Sequence, residues 1–187
     1  RRAEHILSPA EERLLASAGE MADAPDSICG ALRNADLHFE DAVDSEGKTH
    51  PLSAGTLVPL MESADRVLRK SAFENCCKRY DEFKNTVAAT LDAQFKQLRF
   101  FADARKYPST LAAALDATEV PESVYLNLID TVHNNMDKMY RYVALRKKLL
   151  GVDELHMYDV YTPVVPDAAV SISYDEATKT VLEALSV

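Results

Sequence analysis

Apolar positions recur at threes and fours through most of this chain. Residues 63–107 contain no proline or glycine, and Val67, Leu68, Ala72, Phe73, Cys76, Tyr80, Phe83, Val87, Leu91, Phe95, Leu98 and Ala102 keep the spacing throughout. Residues three and four apart share a helix face, so this run predicts one long amphipathic helix, or two with a break near Asn85 and Thr86. Pro108 ends the run, because the residue before a proline disfavours the helical region.

Helix signals punctuate the rest. Ser8 and Pro9 open a first helix, with Glu11 and Glu12 in its first turn and Leu14, Leu15, Ala18 and Met21 as its apolar stripe. Asp23 to Pro25 is expected to break it, before a second helix over about 26–33 with Ile28, Ala31 and Leu32 inward. The pattern "SAGTLVPLMES" predicts a short helix carrying Pro59, and Ser109 caps another through "TLAAALDA". Glu122 starts a helix with Val124, Leu128, Ile129 and Val132 on one face, and a further helix runs from about Asp137 to Leu150 and stops at Gly151. A last amphipathic helix begins at Ser173 or Tyr174.

The period changes only around residues 37–52. There Leu37, Phe39 and Val43 alternate with polar residues, and "DSEGK" forms a turn with Gly47, which is a β-hairpin signal. A two-stranded hairpin is marginal alone, so it must lie against helices or another neighbour. The expected class is therefore mainly α: a bundle-like array of helices with one small β-hairpin near residues 37–52.

At 187 residues the chain can bury a real core. The net charge of −9 argues against a nucleic-acid backbone as main partner. No apolar run approaches the ~20 residues that cross a bilayer, so no membrane span is expected. Cys29, Cys76 and Cys77 are odd in number and include an adjacent pair, which fits structural thiols in a reducing, cytoplasmic compartment. The opening at Arg1-Arg2 and the helix pattern still running at Val187 read as a fragment of something longer.

Candidate chemistry is sparse. His5, His38, His50, His133 and His156 show no H-x-x-x-H spacing, so no helical zinc site is predicted and no metal ligand is assigned. There is no nucleophile elbow or glycine-rich phosphate loop. Arg66, Arg69, Lys70, Lys78 and Arg79 alternate with acids and read as a solvated helix face. The sharper alternative is an arginine that points into a groove and grips a carboxylate with both nitrogens, and Arg105 and Arg146 are its best candidates. The string "HMYDVYTPVVP" is expected to be extended. His156, Tyr158 and Val160 would then share one face, with Met157, Asp159 and Tyr161 on the other. That split argues against one catalytic triad, and Asp159 reads as a buried acceptor for backbone N–H groups or an arginine.

Several strings, taken in order, resemble the oligoendopeptidase F family, zinc metallopeptidases related to thimet oligopeptidase. They are "ILSPAEERLL", "NADLHFEDAVDSEGKTHPLS", "ESADRVLRKSAFENCCKRYDEFKNTVAATL", "ARKYPSTLAAAL", "VPESVYLNLIDTV" and "RYVALRKKLLGVDELHMYDVY". The resemblance implies an almost wholly helical fold whose two lobes enclose a channel for short peptides. It also implies a zinc held by an H-E-x-x-H helix and a downstream glutamate. Residues 1–80 resemble the helical N-terminal lobe with its hairpin, and residues 81–187 the first part of the catalytic domain. None of the family's zinc ligands or catalytic groups has a counterpart here, so no catalytic residue is assigned and no zinc is expected in this chain. What carries over is scaffold, with Arg105, Tyr107, Arg146, His156, Tyr158 and Tyr161 as candidates for the substrate-channel wall. The implied partners are an oligopeptide and the missing C-terminal half, or a second copy through exposed apolar surface. The competing reading is a stand-alone helical module that binds proteins or peptides.

Overall fold

The structure, a computed structural model, describes residues 3–165 and 172–186. Arg1, Arg2, Pro166 and Val187, which entered the sequence reading, lie outside those residues. Among the described residues there are ten α-helices and one two-stranded antiparallel sheet, so the mainly α expectation holds.

Helix α1 (Pro9–Ser17) starts as predicted: the Ser8 side chain accepts from the Glu11 N–H, and Glu11 accepts from the Ser8 N–H. The expected break at Asp23 to Pro25 does not interrupt the helical path. Helix α2 (Gly19–Ala22) and helix α3 (Ala24–Ala31) follow at once, separated by single residues that keep right-handed helical angles. Pro25 sits in the first turn of α3, where its missing N–H costs nothing. The end expected at Arg33 is also passed, since Leu32–Asp36 continues as a π-turn. Leu15 and Leu32 are buried, whereas Leu14, Met21 and Ile28 are exposed, so only part of the predicted stripe meets a neighbour.

The hairpin is shorter than its sequence signal. Strands β1 (Ala42–Val43) and β2 (Thr49–His50) pair with Ala42 opposite His50. Gly47 adopts φ +83° in the turn. Asp44 holds the loop, accepting from the Glu46 N–H at 3.0 Å and the Lys48 N–H at 2.9 Å. Its other oxygen meets His50 Nε2 at 2.7 Å. The neighbour that a hairpin needs is helix α5 (Arg66–Glu82), reached after helix α4 (Leu57–Met61). The Ser71 hydroxyl accepts from the Val43 N–H at 2.9 Å, and Asp65 accepts from the Ser45 N–H and hydroxyl at 2.8 and 2.7 Å. Ala42, Leu52, Leu68 and Ala72 form the core at this contact, with Phe39, Leu57, Leu60 and Cys76 packed round it.

The long helical run is two helices, as one of the alternatives had it. The break falls at Phe83, where φ −106° and ψ 10° leave the helical region, and α6 (Lys84–Ala104) begins just after. α3 packs along α6. Ser109 caps α7 (Thr110–Asp116), and α8 (Glu122–His133) and α9 (Met136–Leu150) follow. Gly151, at φ +64°, closes α9 as predicted. Ser173 caps α10 (Tyr174–Leu185) with a second reciprocal serine–glutamate pair. Helices α8, α9 and α10 bury no residue, and Val124, Leu128, Val132, Leu145, Leu149, Val181 and Leu182 are all more than half exposed.

Candidate functional site

The candidate wall residues fall in two places. The first is the joint after α9. Residues Met157–Asp159 form a single 3-10 turn, not the extended run that the alternation argument assumed. Asp159 is fully buried and draws the turn onto α5. Arg66 donates to it from Nε at 3.2 Å and Nη2 at 3.0 Å. Arg69 Nη2 donates at 2.7 Å, and the His156 N–H donates at 3.0 Å. Burial pushes the Asp159 carboxyl up, but the two guanidiniums and the His156 N–H outweigh it and hold the pKa at about 2. The expected role of Asp159 as buried acceptor is thus realised with both kinds of partner.

Its arginines were not foreseen. Arg66 and Arg69 read as a solvated face, yet Arg69 is buried and also donates to the Ser63 and Ala64 carbonyls at 2.9 Å each. One signal could have found it: Arg69 lies three, four and seven residues before Ala72, Phe73 and Cys76, on the apolar stripe. Arg146 is corrected in the other direction. Among the described residues it grips no carboxylate; its Nη2 donates to the backbone carbonyls of Asp159 at 3.0 Å and Thr162 at 2.7 Å. The Thr162 hydroxyl donates to the Met61 carbonyl at 3.3 Å, which ties the same strand of chain to α4.

Around this charge cluster the rings stack. His156 lies parallel to Tyr158 at 4.9 Å, Arg66 covers Tyr158 at 5.4 Å, and Phe73 packs against it, tilted, at 6.0 Å. Tyr158 is buried, whereas His156, Met157 and Tyr161 face outward.

The second place is the groove where the first turn meets the end of α6. Here Arg105 does form the two-pronged grip expected of it, donating to Glu12 Oε1 at 2.8 Å and Oε2 at 2.9 Å. That hydrogen bond, with the Leu7 N–H, holds the Glu12 carboxyl below its ordinary range. His5 Nδ1 donates to the Arg105 carbonyl at 2.8 Å, and its ring stacks on Tyr107 at 3.7 Å. The Tyr107 hydroxyl donates to Asp116 at 2.8 Å. Ile6, Leu98, Phe101 and Ala113 line an open apolar cavity of about 430 Å³ beside them. From the sequence His5 was weighed only as a metal ligand and Glu12 only as a first-turn acid, and no local spacing marks either as a partner of Arg105.

In both places the charges are spent on holding chain to chain. Among the described residues no group of three or more His, Cys, Asp or Glu side chains is placed to hold a metal ion. The described residues therefore do not fit a zinc centre. Cys76 lies in α5 with its thiol pushed up by burial, and Cys77 beside it is exposed.

Residues 59–185 match the family described as Peptidase family M3, and residues 1–39 match the one described as Oligopeptidase F. The chain belongs to peptidase family M3. Membership in M3 agrees with the hydrolase and metallopeptidase class that the sequence resemblance implied. The chain is 40% identical to the oligopeptidase PepF of Bacillus subtilis, over 97% of this chain and 27% of that protein. It is also 40% identical to the group B oligopeptidase PepB of Streptococcus agalactiae, over 98% of this chain and 30% of that protein. Its fold superposes on the crystal structure of oligoendopeptidase-F from Enterococcus faecium with a TM-score of 0.85 and 42% identity, over 97% of this chain and 34% of that one. This M3 segment thus spans about three tenths of the length of the curated relatives it matches. Among its described residues no helix is long and apolar enough to cross a membrane.

Proposed function

We propose that this chain is scaffold and channel wall of a cytoplasmic, zinc-dependent oligoendopeptidase that hydrolyses short peptides, and that by itself it has no peptidase activity. The observation that carries this reading is the M3 match over residues 59–185 in a chain whose described residues assemble no metal-holding set. The unpaired cysteines at 29, 76 and 77 support a reducing compartment. Residues 1–80 act as the helical lobe with the hairpin, and residues 81–187 as the first stretch of the catalytic domain.

In this reading the wall has two patches, Arg105 with Tyr107 and the joint carrying Arg146, His156, Tyr158 and Tyr161. Tyr158, being buried, serves as the floor under His156 and Arg66. The exposed apolar faces of α8, α9 and α10 support docking against the rest of the polypeptide, and in isolation they favour pairing of copies.

A fluorogenic oligopeptide assay, with and without added zinc, tests the proposal. The intact polypeptide is expected to cleave the peptide and to stop when a chelator is added. The 187-residue chain is expected to do nothing. Robust, chelator-sensitive cleavage by the short chain would overturn the assignment.

A further inference from the structure

The chain carries 30 acidic residues against 21 basic ones, so a cavity lined by a cation and by no carboxylate stands out on it. One such cavity, of about 410 Å³, lies where the π-turn after α3 meets the loop before α4. Its floor is apolar: Leu37 and Leu52 are buried, and Phe39 is half-buried. Its rim carries Arg33, Asn34 and His38, all exposed. Asp36 and Glu40, the acids of the same stretch, line none of it, and Glu40 is taken by Lys78 at 3.0 Å. Among the described residues the side chains of Arg33, Asn34 and His38 have no hydrogen-bond or ion-pair partner. By contrast Arg66, Arg69, Arg79 and Arg105 are each held by a carboxylate. The π-turn is closed by the Leu37 N–H donating to the Leu32 carbonyl at 2.9 Å, and its wider winding sets Arg33 and Asn34 on the wall that His38 shares. Turns of this kind recur at functional sites.

We propose that this cavity is a binding site for a small organic acid, its carboxylate held by Arg33 with Asn34 and His38 donating N–H groups, and its apolar body laid on Leu37, Phe39 and Leu52. A guanidinium meets a carboxylate with two parallel N–H groups, which fixes orientation as well as charge. The apolar floor then favours an acid that carries a ring or a hydrocarbon body over a bare inorganic anion. The volume falls in the range of small-molecule sites. The site shares no residue with either wall patch and does not rest on the peptidase reading. Two sources offer this chemistry, a free acid and the C-terminus of a peptide, and the test separates them.

The test is calorimetric titration of the intact polypeptide that contains this segment. The probes are phenylacetate, its neutral amide phenylacetamide, inorganic phosphate, and a short peptide with a free or an amidated C-terminus. A neutral chelator is present throughout, so that the peptide is not consumed and no added carboxylate competes. Phenylacetate is expected to bind with a Kd of about 1 mM, and phenylacetamide and phosphate to give no heat. Arg33→Gln is expected to weaken phenylacetate roughly tenfold or more, with the melting temperature unchanged because the side chain is exposed. Should Arg33→Gln fail to fold, His38→Ala asks the same question and is expected to weaken the acid about threefold. Binding of the free-terminus peptide alone, lost in Arg33→Gln, assigns the site to peptide termini; binding of phenylacetate without the peptide assigns it to free acids. The inference is overturned if phenylacetate binds no better than its amide, if phosphate binds as tightly, or if Arg33→Gln binds the acid as the wild type does. It is also overturned if the wild type takes no acid and Arg33→Gln lowers the melting temperature, since the rest of the polypeptide then fills the cavity. None of these outcomes touches the reading of the chain as channel wall.

Discussion

Arg69 and Asp159 meet at 2.7 Å across 90 residues of chain, both of them buried. This pair joins α5 to the turn after α9, and it shows how the molecule spends its charge. Removing the carboxylate alone leaves an uncompensated guanidinium in the interior. Asp159→Ala is therefore expected to cost about 3–5 kcal/mol in urea denaturation of the chain, and Arg69→Met combined with it to recover much of that loss. Independent, additive losses would show that the two residues are not coupled.

The same carboxylate predicts a pH response. With its pKa held at about 2, below the usual range of ~4, the folded state favours the ionised form. The stabilisation is complete above roughly pH 5 and is lost as pH falls through 4 towards 2. The amount is about 2 kcal/mol. Melting temperature measured across this range should fall for the wild-type chain, and the fall should be shallower for Asp159→Asn.

Gly47 gives a local test of the hairpin. Its φ of +83° is unfavourable for any side chain, and nothing lies within 4 Å of where a Cβ would stand. Gly47→Val should then cost about 1–2 kcal/mol through backbone strain alone. Loss of the amide protection of the Lys48 N–H, bonded to Asp44, would accompany it in hydrogen exchange.

The adjacent cysteines should separate under a thiol reagent. Cys77 is exposed, while burial raises the Cys76 pKa and leaves less thiolate. Mass mapping after brief labelling at neutral pH should find the label on Cys77 first. Equal labelling would mean that α5 opens faster than the reagent reacts.

The uncovered faces of α8 and α10 predict association. Leu128 is 61% and Leu182 63% exposed. Leu128→Asp with Leu182→Asp should raise solubility and shift sedimentation of the 187-residue chain towards the monomer, with little change in its melting temperature.

Local chemistry made most of the helices legible. Ser8, Ser109, Ser173 and Gly151 mark helix ends because a cap is satisfied by atoms within a few residues. The hairpin could be read for the same reason, since Asp44 and Gly47 close it locally. Phe83 shows the limit: neither glycine nor proline marks that break, and it was expected two residues later. Residues 23–25 show the opposite error, because Pro25 can begin a helix as readily as end one.

By itself the sequence determined the helical class, the placing of the turn on Gly47, the family resemblance and the buried role of Asp159. Each depends on residue type and spacing along one short stretch, where the physics is local. Only the tertiary structure decided which cations meet Asp159, that Arg146 holds carbonyls instead of a carboxylate, and that Arg105 takes Glu12 as its partner. Those pairings join segments up to about a hundred residues apart, and charge attraction in water carries no address. The packing of α5 against the hairpin and the turn is what brings Arg66 and Arg69 within reach and excludes the alternatives.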